Sequence, residues 1–293
     1  MALLLNGSGC SVRNFISARL ADSLVDSGEV YAQDDDIELI GAATPFGLKT
    51  IESLLVEQPR HRGLLLAAAR GFAQYAYIYV ATPADAAEER DVGAAYAQRE
   101  RARRLYLRAR NYGLRGLEAT HPGFGQMLRL DPAGAVARVG ADDVDLLYWC
   151  AISWAAAIAL AKDDAFLIAD LPQTDALIDR ALMLDESFDD GAIHVFLIGY
   201  EMARKTRGGD SAAKARKHFE RAVALSDGLR AAPYVALAES VAVAEQKREE
   251  FEELLERAIA VDPDARPEWR LANLVMQQRA RWLLARTEER FGE

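Results

Sequence analysis

This chain is short of the residues that usually announce chemistry. It has two cysteines, Cys10 and Cys150, and no CxxC pair, so no disulfide framework and no thiolate metal site is expected. Its four histidines, His61, His121, His194 and His218, are scattered and do not make a metal-binding spacing. Basic residues are in deficit, 35 against 45 acids, and the resulting net charge of −10 argues against general nucleic-acid binding, which needs a basic footprint. No stretch approaches the roughly eighteen consecutive apolar residues of a membrane span. GxSxG, HExxH, GxxxxGK, GxGxxG and kinase signatures are all missing. No nucleophile stands at a recognisable spacing from a base. The expectation is a protein that is not an enzyme and carries no cofactor, no metal and no nucleic acid. A buried cluster of perturbed acids, or a histidine dyad, would point back towards catalysis.

What the chain does have is alanine, scarce β-branched runs and a helical period, which together predict an all-α fold. The last third repeats itself. Arg257-Ala258-Ile259-Ala260-Val261-Asp262-Pro263 echoes Arg221-Ala222-Val223-Ala224-Leu225-Ser226 and Arg180-Ala181-Leu182-Met183-Leu184-Asp185. After Ala258 and Pro263 the next helix carries Trp269, Ala272, Asn273 and Met276 at offsets 0, 3, 4 and 7. Leu54 and Pro59 lead in the same way into Leu65, Ala68, Ala69 and Phe72. This is the pattern of a tetratricopeptide (TPR) hairpin. The anchors Leu54, Leu117, Ala181, Ala222 and Ala258 are separated by 63, 64, 41 and 36 residues. Only the last interval is near the ideal of about 34. The expected architecture is an irregular array of TPR-like helix-turn-helix hairpins, an α-solenoid.

Residues 1–14 read as a tail and 15–293 as a single helical domain with an insertion at about 122–143, where Gly123, Gly125, Gly134 and Gly140 interrupt the pattern. Ser8-Gly9-Cys10 resembles a bacterial lipoprotein processing site, which makes Cys10 the candidate lipidation residue; Gly7 stands where leucine is usual. An amphipathic helix is expected over 15–30, ending at Gly28, then a helix from Pro45 to Glu57 and another over 64–80. Thr82-Pro83 reads as a break before a long arginine-rich helix over 88–119. Its basic face suits solvent, anionic headgroups or an acidic partner. The helix over 144–162 is apolar on nearly all sides and therefore central, with Cys150 as a small buried hydrophobe. His194, among Ile193, Phe196 and Leu197, reads as a satisfied core histidine. Arg279 to Arg290 is expected to form a polar terminal helix. Tyr75 and Tyr79, with Trp149 and Trp154, lie on the two most apolar helices. Such rings suit core packing or the wall of an apolar channel, and these four are the candidate ligand-contact residues.

Several blocks together resemble the T-component (TatT-like) lipoproteins associated with TRAP transporters. They are Tyr148-Trp149 with Trp154, Lys162-Asp163-Asp164, Ala169-Asp170-Leu171-Pro172, Asp190-Gly191-Ala192-Ile193-His194, Pro233-Tyr234-Val235-Ala236-Leu237-Ala238-Glu239 and Asp262 through Asn273. Pro45-Phe46-Gly47-Leu48-Lys49 and the Ser-Gly-Cys start also fit. The resemblance implies a periplasmic accessory protein, lipid-anchored to the envelope, built of degenerate TPR-like hairpins and forming a homotrimer. It implies that the substrate-binding P component is the partner, and that small organic ligands, hydrophobic ones among them, pass through an apolar channel. A generic TPR scaffold holding a peptide or protein in its concave groove is the alternative. The resemblance supplies no catalytic residues.

Overall fold

The computed structural model describes residues 28–204 and 209–292, and among them the fold is all-α with no strand. In chain order the helices are α1 (Gly28–Ala32), α2 (Ile37–Glu57), α3 (Arg62–Ala76), α4 (Thr82–Glu88), α5 (Val92–Thr120), α6 (Phe124–Leu130), α7 (Pro132–Ala137), α8 (Val144–Ala159), α9 (Ala165–Ile168), α10 (Leu171–Leu184), α11 (Phe188–Ala203), α12 (Ser211–Leu225), α13 (Ala232–Leu237), α14 (Arg248–Ala260), α15 (Arg270–Leu284) and α16 (Thr287–Phe291). Two wide π turns, Tyr77–Ala81 and Ala238–Ala242, continue α3 and α13. Contacts group the chain into two compact units, one holding Leu39–Arg180 and the other Glu29–Glu38 with Ala181–Glu293.

Within the first unit, α5 packs along both α3 and α8, and α3 also meets α8. Small residues make the approach close. Ala68, Ala69 and Ala76 of α3 and Ala102 and Ala109 of α5 are buried. At Gly113 an added Cβ would stand 2.9 Å from the Cys150 Cβ and 3.2 Å from its Cα. At Gly116 it would stand 2.5 Å from Leu146 Cδ2. The two glycines are one helical turn apart and form a groove into which α8 settles. Leu48, Ile51, Leu55, Leu64, Leu65 and Phe72 complete this core. In the second unit Tyr234, Val235, Leu237, Phe251, Leu254 and Leu255 form the centre. There Asn273, buried in the repeat position that usually takes a small residue, accepts from the Ala231 N–H (2.9 Å) and donates to the Leu229 carbonyl (2.9 Å).

Several boundaries differ from expectation for physical reasons. Pro45 lies inside α2 instead of opening it: the helix already begins at Ile37, just after a turn in which Asp34 Oδ1 accepts from the Asp36 N–H at 2.8 Å. Gly28 belongs to a helical turn and ends nothing; the rest of the helix expected over 15–30, and Cys10, lie outside the described residues. Thr82-Pro83 is no break, since the Thr82 N–H bonds back to the Tyr77 carbonyl and the helix runs on to Glu88. The break comes at Asp91, whose carboxylate accepts from the Ala94 N–H and caps α5. The stretch over 279–290 divides into the end of α15 and α16. α2 is long and apolar enough to cross a membrane by length and composition, contrary to the reading of the sequence; its Leu48, Ile51 and Leu55 face is committed to the core. The stretch over 122–143 is α6, α7 and a 3₁₀ turn. It is fastened by Glu118, which accepts from the Gly123 and Gly125 N–H groups, by Arg180 on the Val139 carbonyl (2.6 Å), and by buried Asp143 between His121 (2.8 Å) and Arg62 (3.3 Å). Residues 189–191 all take left-handed angles, φ 44°, 48° and 93°, at the start of α11.

Gly→Ala within a helix ordinarily stabilises. At Gly113 the sign reverses, because the added carbon meets the Cys150 backbone. Gly113→Ala is expected to destabilise by roughly 1–3 kcal/mol, the usual penalty of overpacking, read as a lower urea midpoint with unchanged slope.

Candidate functional site

Tyr75 and Tyr79 lie on α3 and its π turn, and Trp149 and Trp154 on α8, which packs against α3. Tyr75 and Tyr79 meet with ring centroids 5.5 Å apart and planes tilted by 36°. The tilt places Tyr79 over Gly41, where any Cβ would lie 2.6 Å from the ring. The Tyr75 hydroxyl accepts from Arg101 Nη2 at 3.3 Å. Trp149 packs half-buried on the same core cluster as Tyr75 and meets Tyr148 edge-on at 5.1 Å. Trp154 is buried and has different partners. Its indole N–H donates to Asp170 Oδ2 at 3.2 Å, and the Arg110 guanidinium lies 4.7 Å above its ring. The structure thus joins Tyr75 with Tyr79 directly, brings Trp149 to the same core, and ties Trp154 into a polar cluster of its own. Half-buried rings with polar tips offer apolar contact with a few directional bonds and no proton-transfer machinery.

Periodicity alone does not identify the charged groups around this wall. Arg110 is largely buried; burial holds its guanidinium below the usual arginine range, against the opposing pull of Cys150 and Asp170. Asp170 Oδ2 lies 3.9 Å from it, beyond a hydrogen bond. Glu52 projects from α2 within the Leu48–Ile51–Leu55 stripe. Burial would raise its carboxyl, but hydrogen bonds from Lys49 (2.6 Å) and Tyr112 (2.6 Å) and the charge of Arg108 outweigh it and hold it below the ordinary carboxylate range. An acid on an apolar stripe was the available signal. Cys150 is buried as expected; desolvation pushes its thiol up to about 12, which makes it unreactive as a thiolate at neutral pH.

In the second unit His194 is buried and its Nδ1 lies 2.8 Å from His218 Nδ1, so one ring donates and the other accepts. Glu186 Oε2 stands 3.5 Å from His194 Nε2 and is itself bound by Arg221 at 2.5 Å. This is a histidine dyad that bridges two helices. Its evident effect is to fasten α11 to α12. Among the described residues no group of three or more His, Cys, Asp or Glu is placed to hold a metal ion.

Burial lowers the His194 pKa, and the neighbouring Glu186 opposes that only in part. A depressed imidazole pKa means the folded chain binds fewer protons than the unfolded one, so its stability contribution is full above the unfolded value near 6.5 and declines as pH falls below it. Two protonated rings also cannot share the bond. A His194→Gln/His218→Gln double variant should therefore show a shallower loss of urea stability between pH 7 and pH 5 than the wild type; equal slopes would exclude the pair as the titrating unit.

Comparison with known proteins adds what geometry cannot. The family model described as TRAP transporter T-component matches residues 33–291. An uncharacterised protein of Treponema pallidum (strain Nichols) is 32% identical over 282 residues, 94% of this chain and 86% of its own length. The match spans both compact units, from the acids before α2 to the end of α16, and the chain belongs to the TRAP transporter T-component family.

Proposed function

We propose that this protein is the periplasmic, lipid-anchored accessory component of a TRAP-type transport system, binding the substrate-binding P component and helping to pass a small organic ligand. Membership of the family implies an accessory role in TRAP transport at the bacterial envelope, and the match over residues 33–291 carries the reading. The finer assignments are ours. Cys10 takes the lipid. The TPR-like hairpins assemble as a homotrimer. Tyr75, Tyr79, Trp149 and Trp154 form the ligand wall, supported by the Tyr75–Tyr79 contact and by the half-buried Trp149 on the same core. A hydrophobic ligand suits these rings, since aromatic faces supply apolar contact and the Tyr75 hydroxyl, which accepts from Arg101, keeps its own proton to donate.

The test is affinity purification of the full-length protein from its own bacterium, followed by mass spectrometry of what accompanies it. Recovery from the envelope fraction with a P component is expected. Soluble recovery with unrelated partners would replace this reading with a scaffold. In parallel, Tyr75→Ala and Trp149→Ala should each weaken binding of a fluorescent fatty-acid probe by about ten-fold, the scale of losing part of a buried ring contact. Unchanged affinity in both would remove these rings from the site.

A further inference from the structure

α5 carries an arrangement that none of the preceding roles uses. Arg101, Arg104, Arg108, Asn111 and Arg115 are all exposed. At 3.6 residues per turn they fall within an arc of about 80°, and from Arg101 to Arg115 the row is about 21 Å long. Three of the arginines are laid against aromatic rings. Arg101 lies over Tyr75 at 5.7 Å, Arg108 over Phe72 at 4.8 Å and Arg115 over Tyr112 at 5.2 Å. The rings are themselves ordered, with Phe72 and Tyr112 stacked at 5.8 Å and 11°. Cation–π contact of this kind removes much of the rotamer freedom that a surface arginine would otherwise lose on binding.

The charges on this row are largely uncompensated. Arg108 is held by Glu52. Arg101 donates to the Tyr75 hydroxyl and Arg115 to the Pro59 carbonyl (3.2 Å), both neutral acceptors that occupy one donor of five. Among the described residues no carboxylate lies within ion-pair distance of Arg101, Arg104 or Arg115; Glu100 feels Arg104 only at longer range and is bound by Arg103. The neighbours Arg99, Arg103 and Arg110, off this row, face Asp85 and Glu88, Glu100, and Asp170 respectively. Three cations with no carboxylate at ion-pair distance therefore lie on one stripe of a chain whose net charge is −10.

We propose that this stripe docks an acidic helix of a partner protein, with glutamates or aspartates at alternating three- and four-residue spacing. Planar guanidinium forks, already oriented, match carboxylates bidentately, and their spacing repeats that of a helix face. A lipid surface fits less well. The stripe holds no large apolar side chain to insert; the exposed residues that continue it towards the start of α5 are Ala94 and Ala97, and the rest of the chain repels anionic headgroups. The inference stands whether or not the partner is a P component.

The test uses the whole chain and a labelled alanine-based helical peptide with glutamates at that spacing, beside its glutamine counterpart and phosphatidylglycerol vesicles. The expected result is salt-sensitive binding of the glutamate peptide alone, measured by fluorescence anisotropy. An Arg101→Gln/Arg104→Gln/Arg115→Gln variant should bind it roughly ten-fold more weakly, as the loss of three exposed charge pairs implies. The corresponding triple lysine variant, which keeps the charge and loses the fork, should fall between. Equal binding of both peptides, or undiminished binding by the glutamine variant with a wild-type thermal midpoint, overturns the proposal. Vesicle binding that requires the arginines, without peptide binding, overturns it in favour of a membrane surface.

Discussion

The close approach of α5 to α8 is the constraint on which the first unit depends. Two glycines one turn apart let the Cys150 backbone and the Leu146 side chain occupy space that any other residue would fill. That contact places α8 deep in the unit, so its nearly continuous apolar surface is buried on several sides. It also sets the height of α5 over α3, which fixes where the arginines of α5 fall. Arg110 is left facing Trp154, Arg108 facing Phe72 and Glu52, and Arg101 facing Tyr75. The aromatic wall and the cationic row are thus two faces of one packing decision.

Burial and charge are separated with some care in this unit. Where a charge enters the interior it is met by several partners, as Glu52 is by Lys49, Tyr112 and Arg108, and Asp143 by His121 and Arg62. Such clusters hold remote segments together, the first joining α2 to α5, the second closing the short helices after α5 against α3. Leaving any one partner out would strand a desolvated charge, which is why these positions constrain one another. The histidine pair in the second unit likewise joins α11 to α12.

Much of this was legible from residues alone. The 3.6-residue spacing of Leu48, Ile51 and Leu55 names the buried face of α2, and Ala68, Ala69 and Phe72 that of α3, because those faces are decided by local pattern. The family could be read from the blocks around Trp149, His194 and Trp269, since many residues agree at once. Boundaries were less legible. Pro45 looked like a helix start because proline favours the first turn, but the helix already begins at Ile37. Long-range pairs were invisible: Trp154 with Asp170, His121 with Asp143 and His194 with His218 are joined by the fold and by nothing in their local spacing. For the same reason the sequence marked Trp154 as a ring like the others, and its bond to Asp170 emerges only in three dimensions.

The two π turns carry a consequence for how such a chain diverges. In each, one carbonyl is bonded by the N–H five residues on, Tyr77 by Thr82 and Ala238 by Val243, so each helix holds an extra residue without being interrupted. One extra residue advances everything after it by about 100° around the axis. Each turn therefore acts as a phase shift: the hydrophobic register of the preceding segment is out of step with the following one, while both stay packed. A helix can gain or lose a single residue at such a place and keep the packing on both sides of it, so length changes in this chain are tolerated there without loss of the core.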